Sequence, residues 1–253
     1  MENILLISFF FFLIATLYST VGHAGASGYL AVMGLLSFSP ESIKPTSLVL
    51  NIIVALIASI KFIREGYFDK KIFKTFVITS VPMAYIGGTV SLSPMYFKLL
   101  AGMFLVISAF LLLIRNTLKT KSVTISPMPQ FSGSVLGLII GFFSGLIGVG
   151  GGIFLSPILI LLNWADIQKA SGVAALFILF NSMAGLSGHL NSVNNLDHNL
   201  GYWSLAVVLG GITGSYLGTK KFNKKAISIF LFIVLMSAGI KFIFVDFFFK
   251  TRL

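Results

Sequence analysis

Apolar residues run through this chain in stretches too long for a soluble core, and polar residues gather in the gaps between them. Two stretches, 3–37 and 131–163, are long apolar units interrupted by small residues. Six more, near 46–63, 72–92, 96–114, 172–190, 201–218 and 226–248, read as full spans. About 18 apolar residues or more suffice for a helix to cross the hydrocarbon core. Pro82 predicts a kink in its helix. Asn116–Gln130 is polar, holds two prolines and joins the halves.

Both long units break at small residues. In the second, Gly145–Pro157 reads GLIGVGGGIFLSP, with glycine at 145, 148, 150, 151 and 152. Glycine loses too much backbone entropy to sit comfortably in a helix, so the helix is expected to stop there. Backbone freed at membrane depth must be buried against protein or line a wet cavity. The expected form is the tip of a broken-helix hairpin.

Sliding the sequence by 125 residues lays one half on the other. Ser19 meets Ser144, Gly25 meets Gly150 and Leu30 meets Leu155; Glu41 meets Asp166, Lys44 meets Lys169 and Thr46 meets Ser171. The acid-x-x-Lys pair, at 41–44 and 166–169 with a hydroxyl two residues on, is the least accidental match. Each half is then a broken unit, a short connector and three spans: residues 1–115 and 131–253, with 116–130 as a cytoplasmic linker.

Lys and Arg counts orient the spans. Lys61, Arg64, Lys70, Lys71 and Lys74 place the 61–74 loop inside. Arg115, Lys119 and Lys121 do the same for the linker, and Lys220, Lys221, Lys224 and Lys225 for 219–226. The loop at 191–200 has neither and reads as outside. The halves therefore run in opposite directions, and each broken unit enters and leaves on one face. Both termini then fall outside, which puts Lys250 and Arg252 on the unfavourable side. The fold class is an all-α polytopic membrane protein of two inverted repeats, each a glycine-broken hairpin plus three transmembrane helices. Such repeats are an architecture of secondary transporters.

Composition agrees: of 253 residues 57% are hydrophobic and 10% charged, and the mean hydropathy is +0.99. The net charge of +11 lies in loops between spans rather than in one soluble patch, so nucleic acid is not an expected partner. The apolar run Ile4–Leu17, followed by small residues at Ala24–Ser27, resembles a signal peptide. Glu2 without Lys or Arg ahead of the run, and the matching segment mid-chain, favour a retained span. With no cysteine there is no disulfide or thiol chemistry. His189 and His198 are not spaced as a helical ligand pair, and nothing forms a catalytic constellation. Neither an enzyme, a metal nor a cofactor is expected. The 26 phenylalanines read as lipid-facing bulk, and Trp164 and Trp203 as interfacial anchors.

Two sets of residues are candidates for binding. At the breaks stand His23, Gly25 and Ser27 in VGHAGASG, and Gly148, Gly150, Gly151 and Gly152 in GVGGG. Helix ends there present unsatisfied N–H groups and positive partial charge to an anion. The alternative is that the glycines only let helices pack closely. His23 either protonates, holding an anion or coupling to proton movement, or stays a neutral imidazole bonded to a broken-helix carbonyl. Beyond the breaks come Thr46, Ser47 and Asn51, with Ser171, Asn181 and Ser182 in the other half. Ser47 and Asn51 share a helix face. These six offer donors to an oxyanion or bond helix to helix.

FFSGLIGVGGGIFLSPIL (142–159) and KASGVAALFILFNSMAGLSGHL (169–190), with STVGHAGASGYL (19–30) and KPTSLVLNIIVALIAS (44–59), resemble the TauE/SafE family of sulfite exporters. That resemblance implies about eight spans in the inner (plasma) membrane and a sulfur oxyanion or organosulfonate as substrate. The resulting reading is a secondary transporter that holds a small anion at two tips near the midplane and works by alternating access. An anion channel with a glycine-rich re-entrant filter, or a non-transporting membrane scaffold, stays as the alternative. Import or export, the coupling ion and a homodimeric state are left open.

Overall fold

The chain breaks where its small residues cluster, and the helices between the breaks set the architecture. The computed structural model describes residues 2–20, 22–117, 125–189, 196–218 and 224–244. They form ten helices: α1 (Glu2–Thr20), α2 (Ala26–Leu35), α3 (Pro40–Arg64), α4 (Lys70–Thr89), α5 (Pro94–Thr117), α6 (Gln130–Ile147), α7 (Gly152–Leu161), α8 (Ile167–Gly188), α9 (Leu200–Gly218) and α10 (Lys224–Ile240). Among the described residues, five stretches are long and apolar enough to cross a membrane: Pro40–Arg64, Pro94–Leu111, Gln130–Ile147, Ile167–Gly188 and Leu200–Leu217. The protein is an all-helical, multi-pass membrane protein.

Both broken units are hairpins. At the second tip Gly148, Gly150 and Gly151 take left-handed φ of 85°, 72° and 75°, which ends α6 and starts α7. The Ser126 N–H, just before α6, donates to the Asn163 carbonyl just after α7 at 2.9 Å. That bond closes the base of the hairpin. The first unit folds back in the same way, with Phe10, Leu13 and Ile14 of α1 sharing a groove with Val32 and Leu35 of α2 and Leu36. α2 and α7 have ten residues each. That is ~15 Å of helix, about half of a 30 Å core.

The long helices start earlier than their hydropathy predicts. α3 begins at Pro40 and α8 at Ile167, because the acid-x-x-Lys segments form helical starts rather than connectors. Asp166 caps α8, its carboxylate accepting the Lys169 N–H at 2.8 Å, and Glu41 lies in the first turn of α3. Pro82 sits inside an α4 that runs on without a break.

Packing partners exchange between the halves. α1 packs on α9 as α6 packs on α4; α2 meets α10 as α7 meets α5; α3 meets α9 as α8 meets α4. α3 and α8 cross between them, antiparallel. Ala58 and Phe62, late in α3, cluster with Ala175, early in α8, while Lys44 and His189 line one pocket at the other end.

Close approach comes from glycine. Gly133, Gly137, Gly141 and Gly145 repeat every fourth residue down one side of α6, against Thr75, Phe76, Ser80 and Ala84 of α4. Gly210 and Gly214 do the same for α9, against Phe12 and Thr16 of α1. In lipid, where no hydrophobic force draws helices together, such small-residue faces gain van der Waals contact between backbones.

Neither tryptophan is an interfacial anchor. Trp203 is fully buried, its ring edge-on to Phe11 at 5.3 Å and to Phe38 at 5.9 Å, and Trp164 is buried with Leu159 and Ala165. Aromatic bulk serves the protein interior too: Phe11, Phe76, Phe97, Phe177 and Phe242 are fully buried. A large flat ring near a span end fills core space where helices splay. Lys119, Lys121, Lys220, Lys221, Lys250 and Arg252, and residues 191–195 of the 191–200 loop, lie outside the described residues.

One long-range tie fixes the first hairpin. Lys241, just past α10, donates to the Gly34 and Leu35 carbonyls at 2.9 and 2.7 Å and to Ser37 Oγ at 2.8 Å. An ammonium there satisfies orphan carbonyls and sits at the negative end of α2. Lys241→Met is expected to cost about 1 kcal/mol, discounted for the exposure of the head group. A lowered Tm in detergent checks it; an unchanged Tm means that the cap does not hold the hairpin.

Candidate functional site

The hairpin tips meet at the crossing of α3 and α8. Asn51, halfway along α3, accepts the N–H of Ala26, the first residue of α2, at 3.0 Å. Its Nδ2 donates to Ser182 Oγ on α8 at 2.8 Å. Gly150 of the second tip lies against this amide, and a Cβ there would overlap Asn51 Nδ2 and crowd Ser182 Oγ. One buried side chain thus touches both tips and both crossing helices.

His23 makes the second tie. Its Nε2 donates to the Gly152 carbonyl at 3.2 Å and lies 2.9 Å from Ser156 Oγ, so the first tip is bonded to the first turns of α7. The ring is 2% exposed and stands edge-on to Tyr18. A carbonyl only accepts, so the bond to Gly152 is made when Nε2 carries the proton, and a bare Nε2 would instead accept from Ser156. Ser47 Oγ lies within bonding distance of the Lys44 carbonyl (3.0 Å) and the Gly148 carbonyl (2.9 Å), holding the second tip to α3.

Several donors at the junction are unused. The N–H groups of Gly150, Gly151, Gly152 and Ile153 find no acceptor among the described residues. Neither does the buried hydroxyl of Ser144, and elsewhere in the interior those of Ser19 and Thr46 are also without partners. Ser19 and Ser144 each lie in the last turn of a helix that ends at a small-residue break. Ser144 Cβ is 3.3 Å from where a Gly151 Cβ would stand. The positive end of α7 and a free hydroxyl therefore share one small region.

The other sequence candidates scatter. Gly25 is left-handed at 101°, and beyond it Ser27 Oγ bonds Tyr18 OH at 2.8 Å. Ser171 bonds back to Ile167 and packs on Gly22. Asn181 turns to α4, donating to Ser80 Oγ at 3.1 Å and to the Phe177 carbonyl, with Oδ1 unpartnered. Adjacent helical residues point about 100° apart, so Ser182 reaches the junction and Asn181 does not. Sequence reasoning passed over Ser156, Tyr18 and Tyr29; the spacing of Ser156, one turn after Gly152, is the signal that would have found it.

His189 is buried, and its Nε2 donates to the Gly145 carbonyl at 3.2 Å. Burial, helped by the charge of Lys44, pulls its pKa down to about 4. It is neutral at pH 7.

The sequence matches the family described as sulfite exporter TauE/SafE over residues 7–242, a stretch that contains both tips. The chain belongs to that family. It is 36% identical over 234 residues to a probable membrane transporter protein of Sinorhizobium fredii, covering 91% of this chain and 94% of the relative. A probable membrane transporter protein of Bacillus subtilis is 26% identical over 227 residues, covering 81% and 82%. No solved structure matches the chain. As a TauE/SafE protein it is a membrane transporter, in a family of exporters rather than of enzymes.

Proposed function

We propose that this transporter moves a small oxyanion, sulfite or an organosulfonate, by alternating access around the two tips. The halves are read as inverted repeats, and the antiparallel α3–α8 crossing and the exchanged packing partners support that reading. The observation that carries the site is the junction: both tips on Asn51, with free N–H groups at Gly150–Ile153 and an unpartnered hydroxyl at Ser144 beside them, while Ser19 offers another at the end of α1. Main-chain donors hold an anion without a buried guanidinium, which is costly at membrane depth. The ties through His23, Asn51 and Ser47 join parts that must separate for the route to open on either side. His23, bonded across the tips, is the group through which a proton would act on that separation.

Flux of sulfite and methanesulfonate into proteoliposomes tests this. Ser144→Ala and Ser19→Ala each remove a hydroxyl that the fold does not use, so the Tm is expected to hold or rise. Transport is expected to weaken, with KM up about tenfold for one lost hydrogen bond near 1.4 kcal/mol. Saturating wild-type flux with no change in either variant would remove these hydroxyls from the site. No flux of either anion would remove the substrate reading.

A further inference from the structure

At the end of the bundle opposite the 64–70 loop, α3 and α5 begin and α4 and α8 end. A pocket of about 100 Å³ opens there, lined by Pro40, Glu41, Lys44, Val90, Phe97 and His189. Lys44 is 8% exposed, while Glu41, one turn earlier, is exposed at the mouth. The Lys44 ammonium stands over the Phe97 ring, 4.9 Å from its centroid. Among the described residues it makes no hydrogen bond and has no carboxylate within ion-pair distance. A ring face offsets only part of the cost of taking an ammonium out of water; an anion offsets far more.

Within the lining only the exposed Glu41 opposes that charge. His189 is committed to the Gly145 carbonyl and stays neutral, so it neither repels a cation nor replaces one. Lys44 is then the one full positive charge among the described lining residues. Its field is strong where water is excluded, whereas Glu41 is screened by solvent. The pocket also leads somewhere. A Cβ on Gly148 would stand 3.3 Å from the Lys44 carbonyl, and Ser47 Oγ lies within bonding distance of that carbonyl and of the Gly148 carbonyl. The second tip lies directly beneath.

We infer that this pocket is a receptor site for a small oxyanion on its way to the tips, with Lys44 supplying the charge that draws it in. The inference rests on the anion-transport reading and adds a residue and a route to it. The volume suits an oxyanion with a little water, not a bulky aryl sulfonate.

The test is KM for sulfite in proteoliposomes. Lys44→Gln is expected to raise KM about tenfold or more. Lys44→Arg, which keeps the charge, is expected to stay within about threefold of the native value. Glu41→Gln, which lifts an opposing charge, is expected to lower KM about twofold. An unchanged KM in Lys44→Gln overturns the pocket while leaving transport by the tips in place. If Lys44→Gln does not fold, Glu41→Gln decides, and an unchanged KM there overturns the pocket as well. Absence of wild-type sulfite flux overturns the inference together with the reading beneath it.

Discussion

Leucine at Gly145 is expected to leave no folded transporter to assay. The α-carbon of Gly145 faces backbone on two sides: a Cβ would overlap the Ala84 carbonyl oxygen and stand 2.9 Å from the Gly88 nitrogen. Neither neighbour is a side chain that can turn away. α4 and α6 would have to part along the whole glycine face, which also carries Gly133, Gly137 and Gly141. His189 would lose the Gly145 carbonyl in the same movement. Overpacking a dense interior costs about 1–3 kcal/mol for small insertions and more where backbone must move. Gly145→Ala is therefore expected to lower the Tm measurably, and Gly145→Leu to abolish the monodisperse peak on size exclusion in detergent. Gly201→Ala, at an exposed glycine of α9 with nothing within 4 Å, is the control and should be neutral or stabilising. A native-like elution profile and Tm for Gly145→Leu would rule out the close α4–α6 contact.

Asn51→Ala comes second. The amide satisfies the Ala26 N–H and the Ser182 hydroxyl at once, and truncation leaves both buried without partners. At about 1–3 kcal/mol for each orphaned group, a loss near 3 kcal/mol is expected, alongside loss of transport. Asn51→Asp keeps the acceptor for Ala26 but buries a carboxylate, and is expected to be no better. The bond to Ser182 is checked by a double-mutant cycle. Asn51→Ala with Ser182→Ala should cost less than the two singles added, because each single already breaks the shared bond. Additivity within about 0.5 kcal/mol would mean that α3 and α8 are not joined there.

Asn51 also marks where sequence reasoning reached and where it stopped. The shared face of Ser47 and Asn51 was legible, and both do point at the tips. Their partners were not, since Ser182 and Gly148 are 131 and 101 residues away. Asn181 and Ser182 looked equivalent in the one-dimensional pattern, and only the packing of α8 between α3 and α4 separates them. The acid-x-x-Lys pair stands out in the sequence, but the different uses of its two copies do not. In the structure Asp166 caps a helix, and Lys44 turns over an aromatic ring in a pocket. Trp203 misled because position near a span end says nothing about which side of the helix faces lipid. The four-residue glycine spacing on α6 was present in the letters all along. Its meaning appears only with α4 laid against it.

Hydropathy and backbone entropy belong to single residues and their close neighbours. For that reason the letters alone establish a helical membrane protein whose long apolar runs are interrupted by small residues. Which groups are satisfied and which are left free is settled only when distant segments meet. His23 found a carbonyl on the other hairpin, Lys241 found the end of α2, and Ser144 and Lys44 found no protein acceptor or counter-ion among the described residues. Desolvation makes those outcomes matter. A buried polar atom carries a large free-energy consequence according to its partner, and the partner is a fact of three dimensions.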